Sequence, residues 1–130
     1  MTERKLITTG DPWEPVVGYS RAIRVGSVVE VAGTTAVKDG HVVAKGDPYA
    51  QTRFILEKIK GALEAAGAKM EDVTRTRIFV TDISHWQQVG KAHGEFFRDI
   101  RPASTMVEVK GLINPDMLVE IEATAVVDSF

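Results

Sequence analysis

The sequence contains no cysteine, and its apolar runs are only a few residues long. The absence of cysteine excludes disulfide bonds, cysteine-based zinc sites and a thiol nucleophile. No apolar run approaches the ~20 residues that a bilayer-spanning helix needs, so we expect no membrane partner. Residues 1–5 also lack the apolar stretch of a signal peptide, which makes the cytoplasm the expected location.

The charges are nearly balanced, since 16 Lys and Arg oppose 18 Asp and Glu for a net charge of −2 at pH 7. Nucleic-acid binding requires a concentrated cationic surface, so we expect no nucleic-acid partner. Apolar residues make up 44% and charged residues 26%, a balance that is typical of a folded globular protein. The length of 130 residues predicts one domain, spanning residues 1–130.

Short strands are predicted in the first third of the chain, where apolar and polar residues alternate between turn signals. These strands cover residues 5–7, 19–25, 28–32, 34–37 and 41–43. Residues 8–17 contain Gly10, Asp11, Pro12 and Pro15, which favour a loop. The N-terminal region is therefore interpreted as β-structure with one irregular connection.

Two helices are predicted after these strands. The first begins at Asp47-Pro48, because Asp47 can cap free N–H groups and Pro48 suits the first helical position, and it ends at Gly67. The second begins at Ser84, which forms a capping-box pattern with Gln87 three residues later. The apolar stripe of this second helix consists of Trp86, Val89, His93, Phe96 and Phe97.

Three longer strands are predicted over residues 73–81, 104–109 and 118–127. In the first of them an apolar face alternates with a face that carries Arg75 and Arg77. Two helices are too few to cover both faces of such a sheet, so we expect both helices on one face. The other face has enough apolar surface that self-association would cover it.

Two carboxylates, Glu120 and Glu122, lie on one face of the last predicted strand. Residues two apart on a strand are roughly 6.6 Å apart along it, so this pair could perform acid–base chemistry. The alternative is a solvated or interface-lining strand face. Arg75 and Arg77 likewise could bind carboxylates, or could pair with Glu on a neighbouring strand.

The remaining candidates each have a structural and a functional interpretation. His93 could be a general base, a ligand or a packed histidine, and Ser104 could be a nucleophile or an ordinary strand residue because no Gly-x-Ser-x-Gly elbow surrounds it. Gly33 ends a strand, where a glycine permits close approach of a backbone or ligand. The three histidines show no metal-ligand spacing, so no metal site is predicted.

The last third of the chain resembles the closing signature of the Rid (RidA/YjgF) family. The two matching segments are Arg-Pro-Ala-Ser-Thr-Met-Val-Glu-Val at 101–109 and Leu-Val-Glu-Ile-Glu-Ala at 118–123. Residues 31–33, 50–67, 77–82 and 94–97 match further family segments in the same order. Each segment is modest, but the ordered set is specific and covers the chain from about residue 19 to residue 127.

The resemblance implies a chorismate-mutase-like α+β fold, a mixed sheet with two helices on one face. It also implies a homotrimeric barrel with small-molecule clefts between subunits. The activity that it implies is hydrolysis of reactive enamines and imines, such as 2-aminoacrylate, to 2-keto acids and ammonia, without a metal or cofactor.

The resemblance also implies roles for individual residues. Tyr19 matches a cleft tyrosine, Gly33 a glycine whose backbone faces the ligand, and Glu120 a glutamate that positions the attacking water. This sequence departs from the family at Ser104, where the deaminases have an arginine that grips the substrate carboxylate.

A serine hydroxyl offers one neutral hydrogen bond in place of a bidentate ionic pair, so we expect an altered substrate. Arg101 is the candidate to replace the missing arginine, and His93 and Thr105 are candidates to line an altered cleft. Gly90 stands where the family has a cleft asparagine.

Two functions remain open at this point. One is a Rid-type hydrolase of a small enamine, imine or related carbonyl metabolite, and the other is a non-catalytic trimeric module that binds a small molecule or a partner. A ribonuclease activity, which old family labels carry, is disfavoured by the acidic balance and by the lack of a His/Lys constellation.

Overall fold

A six-stranded mixed sheet carries two helices on one face in this computed structural model, which describes residues 3–128. The strands are β1 (Arg4–Ile7), β2 (Ala22–Val25), β3 (Val28–Thr34), β4 (Val37–Lys38), β5 (His41–Val42), β6 (Val73–Val80), β7 (Ala103–Glu108) and β8 (Val119–Val126). The helices are α1 (Trp13–Val17), α2 (Pro48–Ala65) and α3 (Trp86–Phe97).

The strand order in the sheet is β1-β2-β3-β8-β6-β7, and β4 and β5 form a separate small hairpin. β6 and β7 pair in parallel, joined by the α3 crossover, and the other strand pairs are antiparallel. The predicted α+β class, with a mixed sheet and both main helices on one face, is confirmed. β8, the last strand, lies in the middle of the sheet, where it pairs with β3 on one side and β6 on the other.

The first main helix, α2, begins and ends where the sequence predicts. The Asp47 carboxylate accepts the Ala50 N–H at 3.0 Å, and Pro48 occupies the first helical position. Gly67 follows the helix with φ +81°, a conformation that glycine adopts without strain. The helix buries its apolar stripe of Ile55, Leu56, Ile59 and Leu63 against β3 and β8. Each of these side chains contributes about 1.5–3 kcal/mol of hydrophobic stabilisation.

The two faces of β6 are those that the alternation predicts. Thr76, Ile78 and Val80 are buried beneath the helices. Arg75 and Arg77 lie on the opposite face, which neither α2 nor α3 covers. β8 alternates in the same way, so its buried residues line the core while Glu120 and Glu122 share the open face with the arginines.

The predicted loop at residues 8–17 is only partly correct, since residues 13–17 form the short helix α1. Pro12 and Pro15 do not prevent it, because the first-turn N–H groups of a helix have no intrahelical partner to lose. Gly18 ends α1 with φ +88°. β2 then begins at Ala22, three residues later than predicted, which leaves Tyr19 and Arg21 in the connection before it.

The predicted capping box at the start of the second helix is wrong. The Asp82 carboxylate accepts both the backbone N–H and the hydroxyl of Ser84, at 2.9 and 2.7 Å, and starts a 3₁₀ turn over Ile83–His85 that leads into α3. A carboxylate two residues earlier therefore takes the capping role assigned to Ser84. Trp86, predicted within the apolar stripe, is 55% exposed.

The buried residues of α3 are Val89, Ala92 and Phe97. Across the described residues 3–128, no helix combines the length and the apolar character needed to span a membrane.

Candidate functional site

Glu120 lies on the open face of β8, directly against the backbone of Gly33 in β3. The pairing of these two strands shifts register between Val31 and Thr34, an irregularity of the kind that often re-aims side chains near functional sites. A Cβ atom built on Gly33 would lie 2.8 Å from Oε2 of Glu120, which is closer than real contacts allow. The close approach predicted for Gly33 is therefore made by this carboxylate, and glycine leaves the space for it.

Arg21 holds the same strand segment from the other side. Its Nη2 donates a hydrogen bond of 2.6 Å to the carbonyl oxygen of Gly33, and its guanidinium carbon lies 5.8 Å from the centre of the Tyr19 ring. The residue is only 9% exposed, and its Nε atom is buried without a hydrogen-bond partner. Burying a guanidinium costs free energy unless a nearby negative charge or dipole offsets the loss of hydration. Arg21 is therefore unusual, because it is a cation that is almost fully buried.

Burial raises the pKa of the Glu120 carboxyl above its ordinary value. The positive charge of Arg21 opposes this rise, and the neighbouring Glu122 carboxylate adds to it. A desolvated carboxyl with a raised pKa is a stronger base than an ordinary surface carboxylate and is therefore better suited to take a proton from water. Among the described residues, Arg21 and Glu120 form no ion pair within 4.0 Å, so Arg21 acts on Glu120 through its field and not by contact.

Lys58 brings a second cation to this region from α2. Its ammonium group donates to the carbonyl oxygens of Thr35 and Val37, both at 3.1 Å. Burial first, and the charge of Arg21 second, lower the pKa of Lys58 below its ordinary value. The Tyr19 hydroxyl has a raised pKa, mainly because of burial, and Arg21 counters that rise.

A second cluster lies on the helix-covered side of the sheet. The Thr76 hydroxyl is 2.8 Å from Oγ of Ser104 and 2.9 Å from Nε2 of His93, so one buried threonine links the two predicted site residues. The His93 ring packs on Phe97 with ring centres 4.6 Å apart. Burial lowers the pKa of His93 below its ordinary value. This geometry is that of a packed histidine, one of the alternatives that the sequence allowed.

The remaining predicted residues lie outside both clusters. Thr105, next to Ser104 on β7, faces the open side, where its hydroxyl accepts from Nη2 of Arg75 at 2.9 Å. Arg101 has a φ of +57°, and its Nε donates to the carbonyl oxygen of Arg98 at 3.2 Å, so its hydrogen bond folds it back onto the end of α3. That contact gives no support to the prediction that Arg101 substitutes for the family's substrate-binding arginine.

The arginine–glutamate pairing that the sequence offered as an alternative is present. Nη1 of Arg77 lies 3.5 Å from Oε1 of Glu122, across the β6–β8 pair. A broad concavity of about 900 Å³ opens on the same face. Tyr19, Glu30, Arg77 and Glu122 are among its lining residues, but Glu120 and Gly33 are not.

Sequence reasoning missed Arg21 and Thr76, the residues that organise the two clusters. The position of Arg21, two residues after the predicted site residue Tyr19, was the signal in the sequence that could have identified it. Thr76 was visible only as a polar residue on the buried face of β6, and its link to Ser104 depends on the parallel β6–β7 register. Within residues 3–128, no group of three or more histidine, aspartate and glutamate side chains could hold a metal ion.

The fold is that of the solved YjgF structures. A member of the YjgF/YER057c/UK114 family from Mycobacterium tuberculosis is 51% identical to this chain, with a TM-score of 0.88 and coverage of 96% of this chain and 100% of that one. The YjgF gene product of E. coli is 32% identical, with a TM-score of 0.78 and coverage of 93% and 92%.

Sequence comparisons agree with the fold. The sequence model of the family described as Endoribonuclease L-PSP matches residues 9–127. A RutC family protein of Pyrococcus horikoshii is 37% identical over 94% of this chain and 97% of its own length. An uncharacterized protein of Streptomyces coelicolor is 38% identical over 92% of this chain and 89% of its own length. The chain belongs to the Rid family, also called YjgF.

Proposed function

We propose that this Rid-family chain hydrolyses a small enamine or imine, with Glu120 as the group that handles the proton of the attacking water. The observation that carries the proposal is the position of the Glu120 carboxylate. It is half-buried, it lies against Gly33, and burial raises its pKa. The field of Arg21 opposes that rise in pKa and favours the ionised form, which is the form that accepts a proton from water.

The proposed reaction needs no oxidant, reductant or cofactor. Glu120 takes a proton from water while the oxygen forms a bond to the imine carbon, and it passes this proton to the imine nitrogen as the C=N bond becomes single. Glu120, ionised again, then takes the hydroxyl proton of the carbinolamine and delivers it to the amine nitrogen as the C–N bond breaks. This step releases ammonia and a carbonyl compound and leaves Glu120 ionised. An enamine enters the same sequence after protonation at carbon gives the imine. General acid–base catalysis of this kind contributes about 10²–10⁴-fold to a rate.

We also infer that the working unit is a homotrimer with its clefts between subunits. Trp13, Val16 and Val17 of α1 are each more than 60% exposed, and Ile113 is 93% exposed. Arg77 and Glu122 on the open sheet face are also partly exposed in the single chain. Apolar side chains exposed to this extent are typical of association surfaces. Light scattering should therefore give a mass about three times the 14.2 kDa of one chain.

We propose that the substrate preference differs from the preference of the family deaminases for amino-acid-derived imines, because Ser104 stands where those deaminases have an arginine. Ser104 is exposed on the edge strand β7 and offers a neutral hydroxyl. Tyr19 and Gly33 complete the proposed cleft next to Glu120, and Thr105 lines the same open face from β7. His93, which packs on the helix-covered side, acts on the cleft only through Thr76 and Ser104. We propose a small metabolite as the ligand, whether the protein hydrolyses it or only binds it.

The experiment follows the decay of 2-imino acids that an amino-acid oxidase generates in solution. We expect Glu120→Gln to abolish any acceleration by the wild-type protein. Glu122→Gln is the matched control, since Glu122 lies on the same face of β8 but pairs with Arg77 and does not contact Gly33. Equal activity in both variants would contradict the role of Glu120.

A Ser104→Arg variant is compared in the same assay. Activity in that variant and not in the wild type would show an intact hydrolase with an altered substrate. The second candidate function, a trimeric binding module, is favoured by the same neutral residue at position 104. Saturable binding of a small molecule without turnover, unaffected by Glu120→Gln, would support it.

A further inference from the structure

A chain of three polar side chains connects the surface of the edge strand to the interior of the helical layer. His93 lies 2.9 Å from Thr76 through Nε2, and Thr76 lies 2.8 Å from Ser104 through the two hydroxyl oxygens. Thr76 is fully buried, His93 is half-buried and Ser104 is exposed. The outer end of the chain, the Ser104 hydroxyl, has no other protein partner among the described residues and is therefore accessible to a ligand.

No charged side chain belongs to this hydrogen-bonded set of three residues. On β6, Arg75 bonds to Thr105 and Arg77 pairs with Glu122, both on the opposite face of the sheet. On α3, Glu95 bonds to Arg53 and Tyr49 of α2.

Lys91, also on α3, lies over the ring of Tyr49. Burial is the single cause that lowers the pKa of His93, so its imidazole is neutral near pH 7. The three-residue chain is therefore an uncharged hydrogen-bonding device.

We propose that Ser104, aligned by Thr76 and His93, binds an uncharged acceptor atom of the substrate, such as a carbonyl oxygen or an imine nitrogen, and discriminates against a carboxylate at this position. The inference rests on the proposed function in one respect, since it takes Ser104 to line the substrate cleft. Thr76 and His93 are positioning residues, because they act through Ser104.

The direction of the hydrogen bonds follows from the chemistry of the acceptor. The Ser104 proton must point to the ligand, so Ser104 must accept from Thr76, and Thr76 must accept from the Nε2–H of His93. Aligned hydroxyls polarise one another, which strengthens the terminal donor. A carboxylate would gain much less here than from a guanidinium, whose two parallel ionic hydrogen bonds match its geometry.

The test compares two probes of nearly equal size, pyruvamide and pyruvate, which differ in the group beside the ketone. Both probes are titrated into the full-length protein in its native assembly. Binding is followed by NMR, a measurement that does not require the protein to turn the probe over. Both probes accept one hydrogen bond from Ser104, but the carboxylate also loses charge solvation that no cation of this cluster replaces. We therefore expect the wild type to bind pyruvamide about threefold to tenfold more tightly than pyruvate. Ser104→Arg should reverse this preference.

The role of the three hydrogen-bonded side chains is tested with Thr76→Val. This substitution keeps the shape of the Thr76 side chain and removes its hydroxyl. We expect it to weaken pyruvamide binding about threefold to tenfold although Ser104 is still present. The ¹⁵N shifts of His93 should show the Nε2–H tautomer in the pyruvamide complex of the wild type, and no response to pyruvamide in Thr76→Val. Thr74→Val is the matched control, because the Thr74 hydroxyl bonds to the Thr124 carbonyl and not to His93.

Three outcomes would overturn the inference. These are tighter binding of pyruvate than of pyruvamide by the wild type, no saturable binding of pyruvamide, or an unchanged His93 response in Thr76→Val. Failure of imine hydrolysis would leave these binding results unaffected, so the two proposals can fail separately.

Discussion

Replacing Gly33 by alanine tests the contact on which the candidate site depends. The added Cβ would lie 2.8 Å from Oε2 and 3.0 Å from Cδ of Glu120, whereas ordinary contacts begin at 3.4 Å. The carboxylate must therefore move by about 0.6 Å. It can do so because it is the end of a flexible side chain, and the φ of Gly33 is not positive, so alanine strains neither the backbone nor the fold.

The expected effect falls on catalysis and not on stability. A misplacement of 1 Å can cost about 100-fold in rate, so a shift of about half that size should cost on the order of tenfold. The free energy of unfolding should change by less than about 1 kcal/mol, as is usual where no core contact is lost. Imine decay gives the rate, urea unfolding gives the stability, and carboxyl NMR gives the pKa of Glu120.

Gly61→Ala is the control for this experiment. Gly61 lies in the exposed part of α2 with no atom within 4 Å of an added Cβ, so alanine there should stabilise the helix by about 0.5–1 kcal/mol and leave the rate unchanged. If Gly33→Ala kept both the wild-type rate and the wild-type pKa of Glu120, the reasoning that places the reactive carboxylate against Gly33 would be refuted.

Three further predictions concern charge and capping. Folding raises the pKa of Glu120, so between its unfolded and folded pKa values the folded protein binds more protons than the unfolded chain. The free energy of unfolding therefore falls as the pH rises through this interval. Glu120→Gln should unfold at a higher urea concentration than the wild type at pH 7, and this difference should vanish below the unfolded pKa. Arg21→Met should raise the pKa of Glu120 further and move the acidic limb of the rate–pH profile to higher pH, whereas an unchanged limb would show that the field of Arg21 does not reach Glu120. Asp47→Ala should reduce the free energy of unfolding by about 1 kcal/mol through loss of the α2 cap, and Asp47→Asn should restore most of it.

The local features of the fold could be predicted from the sequence because each depends on neighbouring residues. Asp47-Pro48 and Gly67 delimit α2, and the alternation in residues 73–81 identifies the buried face of β6. The prediction failed where two local signals compete, as at Ser84, where the carboxylate of Asp82 is the stronger cap. It also failed at residues 13–17, since prolines in a first helical turn resemble those of a loop.

The candidate site was predictable only in part. The family resemblance named Tyr19, Gly33 and Glu120, and the structure brings these residues together around Arg21. It separates Ser104 and His93 into a second cluster within the single chain. A resemblance assigns positions one by one, and it carries no information on which side chains touch.

By itself the sequence determined the two helices, the alternating strands, the family and the serine at position 104, because these are properties of short segments or of their order. Only the tertiary structure decided that Arg21 holds Gly33, that Gly33 borders Glu120, and that Thr76 joins His93 to Ser104. The physical reason is the strand order, which places the last strand at the centre of the sheet. Contacts between residues far apart in the chain then depend on register and on the irregularity in β3, which no local pattern specifies.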